Sequence, residues 1–167
     1  VKGSVAGARP ADLTKVITRI DGNAISPAIG YAVNGMVDRY PELRSIVERE
    51  TNAGGKAALH RFRSQCLPDS VATDGFTFTS RWTRTGEPLS RVVARYPAAR
   101  KVLADQRVGR LKPNAPVLLM TGVNDDVIPT GQVTQLYRDW KAKGAQVKIL
   151  RDHTPPVLPR SAAGHVI

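Results

Sequence analysis

The chain has 167 residues, 41% of them hydrophobic, which is enough for one domain with a buried core. Its formal net charge is +11, and no run of 18 apolar residues occurs, so we expect no transmembrane segment. It begins VKGSVAGARP, which lacks the basic and apolar stretches of a signal peptide. Such a start fits a cytosolic protein, a processed one, or a chain without its natural start, and we favour the last.

The first half of the chain has the apolar spacing of helices. In PADLTKVITRIDG, apolar residues recur every three or four positions between Pro10 and Gly22, which predicts a helix. SPAIGYAVNGMVDRYP starts with a Ser26 cap and Pro27 and is apolar almost all round, so we expect a helix buried on several sides. Short helices should follow near Leu43 to Val47 and near Ala58 to Phe62.

The next stretch is irregular and then basic. DGFTFTSRWTRTGEP carries Gly and Pro, which predicts an irregular or short extended segment. PLSRVVARYPAARKVLADQRVG predicts one or two short helices, so residues 22–110 should be mostly helical.

A basic belt crosses this region. Between Arg81 and Lys112 there are nine Lys or Arg residues and two acidic ones. Such a belt can attract phosphates or an anionic surface, although most belts of this kind are simply solvated. We expect Arg81, Arg84, Arg91 and Arg95 to face water.

After residue 111 the pattern changes to strand, helix and strand. VLLMTG reads as a strand buried on both faces, and GQVTQLYRDWKAKG as a helix that ends at Gly144. QVKILRD is a second strand. At these lengths the three elements predict a crossover in a parallel sheet and place the chain in the α/β class.

Candidate functional residues follow both of these strands. Ligands and reactions lie beyond the carboxyl ends of parallel strands. Asp125 comes just after the first strand, and His165 ends the long loop after the second. A carboxylate beside an imidazole fixes the tautomer of the ring and stabilises its protonated form, which suits base catalysis. We expect the neighbouring Asp126 to be a solvated acid of the turn or a charge near the helix N-terminus.

A catalytic base of this kind needs a nucleophile. In α/β-hydrolases the triad runs Ser, then Asp or Glu, then His along the chain, and the serine lies in a G-x-S-x-G turn. The order of Asp125 and His165 fits the later part of such an enzyme. No serine in the sequence has the required glycines on both sides, and GSVAG has its serine in the wrong place.

Several segments together resemble the secretory lipases of microbes, a branch of the α/β-hydrolases. They are GSVAGARPADL, NGMVDRYPEL, LKPNAPVLLMTGVNDDVIPTGQV, DWKAKGAQV and PPVLPRSAAGH. The resemblance spans nearly the whole chain and corresponds to the C-terminal portion of the family. It implies an α/β-hydrolase core from residues 1–21 and 111–167, with residues 22–110 as an inserted helical cap that contributes to acyl-chain binding.

The resemblance also implies a function. It assigns Asp125 as the triad acid and His165 as the base of a secreted ester hydrolase acting on lipids or other acyl esters. The nucleophile would come from a missing N-terminal segment, so we expect the chain to be inactive alone. We predict no cofactor and no metal site, since His153 and His165 have no recognised metal-ligand spacing.

Two alternatives remain open from the residues. The same fold could act on another acyl class, as a peptidase, thioesterase or acyltransferase, because a triad does not identify its leaving group. The basic belt could instead belong to a non-catalytic module that binds nucleic acid or an anionic surface. Aromatic residues are few and no RNA-binding signature occurs, so we expect no nucleic-acid partner.

Overall fold

The computed structural model describes residues 2–155 and 158–166. The chain divides into two compact units. The first, called the sheet unit, comprises Val1–Arg19 and Gln106–Ile167, and the second, called the helical unit, comprises Ile20–Asp105. Within the described residues, no helix has both the length and the hydrophobicity that crossing a membrane requires.

The described residues form three strands and nine α-helices. In chain order these are β1 (Ser4–Gly7), α1 (Leu13–Ile20), α2 (Pro27–Arg39), α3 (Arg44–Glu50), α4 (Ala53–Arg61), α5 (Leu67–Asp74), α6 (Leu89–Arg95), α7 (Pro97–Asp105), β2 (Val117–Gly122), α8 (Thr130–Ala142), β3 (Val147–Asp152) and α9 (Ala163–Val166).

The three strands form a parallel sheet in the order β1-β2-β3. Leu119 on the central strand lies opposite Ala6 on one side and Ile149 on the other. The predicted strand, helix and strand from residue 117 to 152 are therefore confirmed. Strand β1 was not predicted, because four residues that include Ser, Ala and Gly carry no apolar alternation.

One face of β2 is more deeply buried than the other. Val117, Leu119 and Thr121 are buried, whereas Met120 between them is 39% exposed. Successive side chains on a strand point to opposite faces, so burial on both faces was a wrong expectation. Helix α8 packs against β2 and β3 and buries the apolar side chains of Leu136 and Trp140.

Helix α2 packs against α4 and α5 in the helical unit. Of its residues, Pro27, Ile29 and Gly30 are buried, and the rest are half-buried or exposed. The helix therefore packs on several sides as expected, against α4, α5 and the 3₁₀ turn Pro41–Leu43, but its burial is only partial. Ser26 precedes the helix but makes no side-chain cap, because its hydroxyl instead lies 3.5 Å from the Asp74 carbonyl oxygen.

Long-range contacts hold the irregular segment that precedes α6. The Thr79 amide and hydroxyl donate to the two carboxylate oxygens of Asp21, at 2.7 and 3.0 Å. Besides one 3₁₀ turn, Thr79–Arg81, this segment is irregular, as its composition indicated. Helix α5 was not predicted, because its eight residues show no clear apolar stripe.

The basic belt faces solvent as expected. Arg81, Arg84, Arg91 and Arg95 are all exposed. Arg95 also forms ion pairs with Glu50 and Glu87, so part of its charge is neutralised inside the helical unit.

Two glycines of the helical unit make a matched test of this packing. A Cβ atom on Gly55 would lie 2.3 Å from the Trp82 carbonyl oxygen, whereas one on Gly35 would have no atom within 4 Å. We expect Gly55→Ala to lower the free energy of unfolding by about 1–3 kcal/mol. Gly35→Ala should raise it by about 0.5–1 kcal/mol, because alanine loses less entropy in a helix. Urea unfolding followed by circular dichroism measures both, and equal losses would contradict the described contact.

Candidate active site

Asp125 lies in the turn that follows β2 and is 3% exposed. Its Oδ1 atom accepts hydrogen bonds from the amides of Val127 and Ile128, both at 2.8 Å. The Thr130 hydroxyl at the start of α8 donates to the Gly122 carbonyl at 2.6 Å. These bonds fix the turn between the end of the strand and the beginning of the helix, so the carboxylate has a defined direction.

His165 lies in α9, on the chain that returns after β3. Its Nδ1 atom is 3.0 Å from Asp125 Oδ2 and 3.3 Å from Oδ1. The imidazole is partly accessible, with 28% of the side chain exposed, while the Asp125 side chain is 1% exposed. An ionised carboxylate only accepts hydrogen bonds, so Nδ1 carries the proton and Nε2 of the neutral ring has a free lone pair. The structure therefore brings the two predicted site residues into direct contact.

The contact changes the protonation equilibria of both groups. Burial raises the pKa of Asp125, but hydrogen bonds from His165, Ile128 and Val127 lower it by more, so the net pKa is below its usual value. The hydrogen bond with Asp125 raises the pKa of His165; burial opposes this, and the charges of Asp125 and Asp126 add to it. Both shifts favour an ionised acid beside a protonated ring. A proton accepted by His165 is consequently stabilised.

Asp126 differs from its prediction. It is 8% exposed and its Oδ2 atom accepts a hydrogen bond from the Ala162 amide at 3.0 Å. The expectation of a solvated acid is wrong, because the chain that carries His165 folds back over the turn. The sequence signal for a buried turn was the apolar pair that directly follows Asp126. This pair, Val127 and Ile128, is also buried.

Two further residues at this site were missed. The Arg19 guanidinium at the end of α1 donates to the Asp125 carbonyl oxygen at 3.2 Å. Gly164 lies so close to the turn that a Cβ atom there would be 3.0 Å from the Asn124 carbonyl oxygen. A glycine before the histidine could have suggested such a close approach, whereas nothing in the sequence relates Arg19 to residue 125.

His153, the other histidine considered as a metal ligand, lies directly after β3. His153 is exposed, and the neighbouring Asp152 carboxylate accepts hydrogen bonds from the amide and hydroxyl of Thr154. Across residues 2–155 and 158–166, no three acidic, histidine or cysteine side chains are grouped as metal ligands.

The chain is similar to known lipases. A family model described as secretory lipase matches residues 1–165. The secreted triacylglycerol lipase LIP4 of Malassezia globosa is 29% identical over 161 residues, which are 93% of this chain and 34% of that protein. The chain thus spans about a third of the length of the curated relatives it matches.

Two solved structures share its fold. Candida antarctica lipase A has a TM-score of 0.80 at 19% identity, covering 95% of this chain and 37% of its own. The rice cell wall degrading esterase LipA of Xanthomonas oryzae has a TM-score of 0.81 at 17% identity, covering 98% of this chain and 46% of its own. The fold is therefore that of α/β-hydrolases, and the match across residues 1–165 shows that the chain belongs to the secretory lipase family.

Proposed function

We propose that this chain supplies the acid and the base of a secreted serine ester hydrolase that cleaves lipid or other acyl esters. The observation that carries the proposal is the 3.0 Å contact between His165 Nδ1 and the buried Asp125 Oδ2. Family membership supports ester hydrolysis, and the Malassezia relative is named a secreted triacylglycerol lipase. We assign Asp125 as the triad acid and His165 as the base.

The nucleophile lies outside these 167 residues in this proposal, since no serine of the sequence lies in a G-x-S-x-G turn. As the serine oxygen bonds to the ester carbonyl carbon, its proton passes to His165 Nε2. The protonated ring then gives that proton to the leaving alcohol oxygen. Water, activated by the same nitrogen, releases the acid and regenerates the serine. Asp125 stays ionised and holds the ring in the required tautomer throughout.

The substitution Asp125→Asn tests the tautomer of the His165 ring and not only the loss of negative charge at residue 125. In Asp125→Asn the amide oxygen can keep the bonds from the amides of Val127 and Ile128. The NH₂ group would then face His165 Nδ1, where it can only donate. A ring that accepts at Nδ1 carries its proton on Nε2, so it cannot accept the proton of serine.

We therefore expect Asp125→Asn in the full-length enzyme to lower kcat by about a thousandfold or more while the protein stays folded. Hydrolysis of p-nitrophenyl esters measures the rate, and circular dichroism verifies the fold. Asp152→Asn is the matched control, because it changes an acid that binds the backbone at the end of β3. Retention of wild-type kcat in Asp125→Asn would refute the assignment of the acid.

We also propose that the helical unit is the cap of the enzyme and contributes to binding the acyl chain. Two aromatic side chains support this role, since Phe76 is 57% exposed and Phe78 is 48% exposed. Phe76 also has a φ of 61°, a left-handed conformation that bulky residues seldom adopt. Exposed aromatic surface is available to bind an apolar ligand.

Replacing both aromatic residues should affect long acyl chains selectively. We expect the double variant Phe76→Ser and Phe78→Ser to lower kcat/KM for p-nitrophenyl palmitate about tenfold more than for the acetate, because less apolar surface contacts the longer chain. Leu111→Ser removes an 83% exposed side chain of the sheet unit and should show no such selectivity. Equal losses for the two esters in the double variant would contradict acyl-chain binding by these residues.

A further inference from the structure

The segment that carries His165 contacts the acid turn through a second carboxylate. Asp126 is buried, and its Oδ2 atom lies 3.0 Å from the amide nitrogen of Ala162. A buried acid is costly unless donors satisfy it, and a hydrogen bond to a charged acceptor is stronger than a neutral one. This bond joins residues 36 positions apart in sequence, so it stabilises tertiary structure and not a local turn.

The backbone around Ala162 needs such support. Arg160 and Ala162 have φ values of 62° and 65°, a left-handed conformation that is unfavourable for residues other than glycine. The two hydrogen bonds of the Ser161 side chain are local. The Ser161 hydroxyl donates to the Leu158 carbonyl at 2.6 Å, and its oxygen accepts from the Ala163 amide at 3.1 Å. Local bonds shape the turn but do not attach it to the acid loop.

Ala162, whose amide binds Asp126, lies three positions before His165 in the sequence. The His165 amide donates to the Ala162 carbonyl at 3.1 Å. Ala162 therefore binds Asp126 through its amide and His165 through its carbonyl. Gly164 provides a second close approach, since a Cβ there would lie 3.0 Å from the Asn124 carbonyl oxygen. Displacement of Ala162 would therefore move the imidazole relative to Asp125.

We propose that Asp126 is a positioning residue, whose carboxylate holds the Ala162 amide and thereby keeps the His165 ring against Asp125. Adjacent carboxylates then have separate tasks: Asp125 binds the ring, and Asp126 binds the backbone that carries it. The catalytic consequence rests on the function proposed above, whereas the attachment of the segment does not.

Two substitutions separate the hydrogen bond from the charge. Asp126→Ala removes the acceptor, and Asp126→Asn keeps the shape and one amide oxygen that can accept from Ala162. Hydrogen exchange of peptides covering residues 158–165 in the full-length enzyme, followed by mass spectrometry, reports the attachment directly. We expect exchange at Ala162 to be about ten- to a hundredfold faster in Asp126→Ala and to stay slow in Asp126→Asn.

Ester hydrolysis provides the second measurement. Asp126→Ala should lower kcat about tenfold or more and leave KM unchanged, because the ring loses its position while substrate binding is intact. Asp126→Asn should retain most of the wild-type kcat. Asp139→Ala, which removes an acid of α8 that pairs with Arg107, is the control and should change neither measurement.

Each contrary outcome has a distinct meaning. Unchanged exchange at Ala162 in Asp126→Ala would refute the attachment, and faster exchange with wild-type kcat would refute the positioning role. If Asp126→Ala does not fold, the isosteric Asp126→Asn decides, since a loss of kcat as large as that of Asp125→Asn would overturn the proposal. Failure of the proposed function would appear separately, as wild-type kcat in Asp125→Asn.

Discussion

The buried carboxylate of Asp125 is the interaction on which the site depends. It accepts hydrogen bonds from the amides of Val127 and Ile128 and from the ring of His165. Without donors, a buried charge would be too costly to keep in the folded state, and each bond to a charged acceptor contributes about 1.5–3 kcal/mol. The turn, the start of α8 and the returning chain are therefore stabilised through one side chain, and the same bonds keep it ionised for use beside an imidazole.

Two adjacent acids on one turn acquire different surroundings from the topology of the sheet. The carboxyl ends of β2 and β3 lie side by side, because the strands pair in parallel from Val117 to Gly122. The segment that carries Ala162 and His165 lies against the turn after β2. Asp125 contacts the ring of His165, and Asp126 contacts the backbone amide of Ala162. The ring and the backbone thus have separate acceptors, Asp125 Oδ2 for His165 Nδ1 and Asp126 Oδ2 for the Ala162 amide.

The central part of the fold could be predicted from the sequence because its periodicity is strong. Strand β2, helix α8 and strand β3 were all expected, and the edge where Asp125 and His165 meet follows from parallel pairing. Strand β1 escaped prediction because it is short and built from small residues, so only its pairing with β2 identifies it. Helix α5 lacks an apolar stripe, and contacts such as the one between the Tyr31 and Ser70 hydroxyls at 2.7 Å cannot be inferred from spacing.

Prediction of the candidate site from sequence is limited in the same way, because part of it depends on tertiary contacts. Its place just after the first predicted strand indicated Asp125 as the acid, but polar residues on turns are usually solvated, and burial of Asp126 depends on a segment 36 residues away. The guanidinium of Arg19 reaches the turn from the other end of the chain. Local pattern thus predicted which group contacts the imidazole, while the groups that hold this pair in place depend on tertiary contacts.

The central claim is that Asp125 and His165 complete a triad whose serine lies outside these 167 residues. Covalent labelling of the full-length enzyme with a fluorophosphonate, followed by mass spectrometry of the modified peptide, tests it most directly. We expect the label on a serine in a G-x-S-x-G turn outside this chain, and a labelling rate reduced by about a thousandfold or more in His165→Ala. A label on a residue within this chain, or an undiminished rate in His165→Ala, would contradict the account.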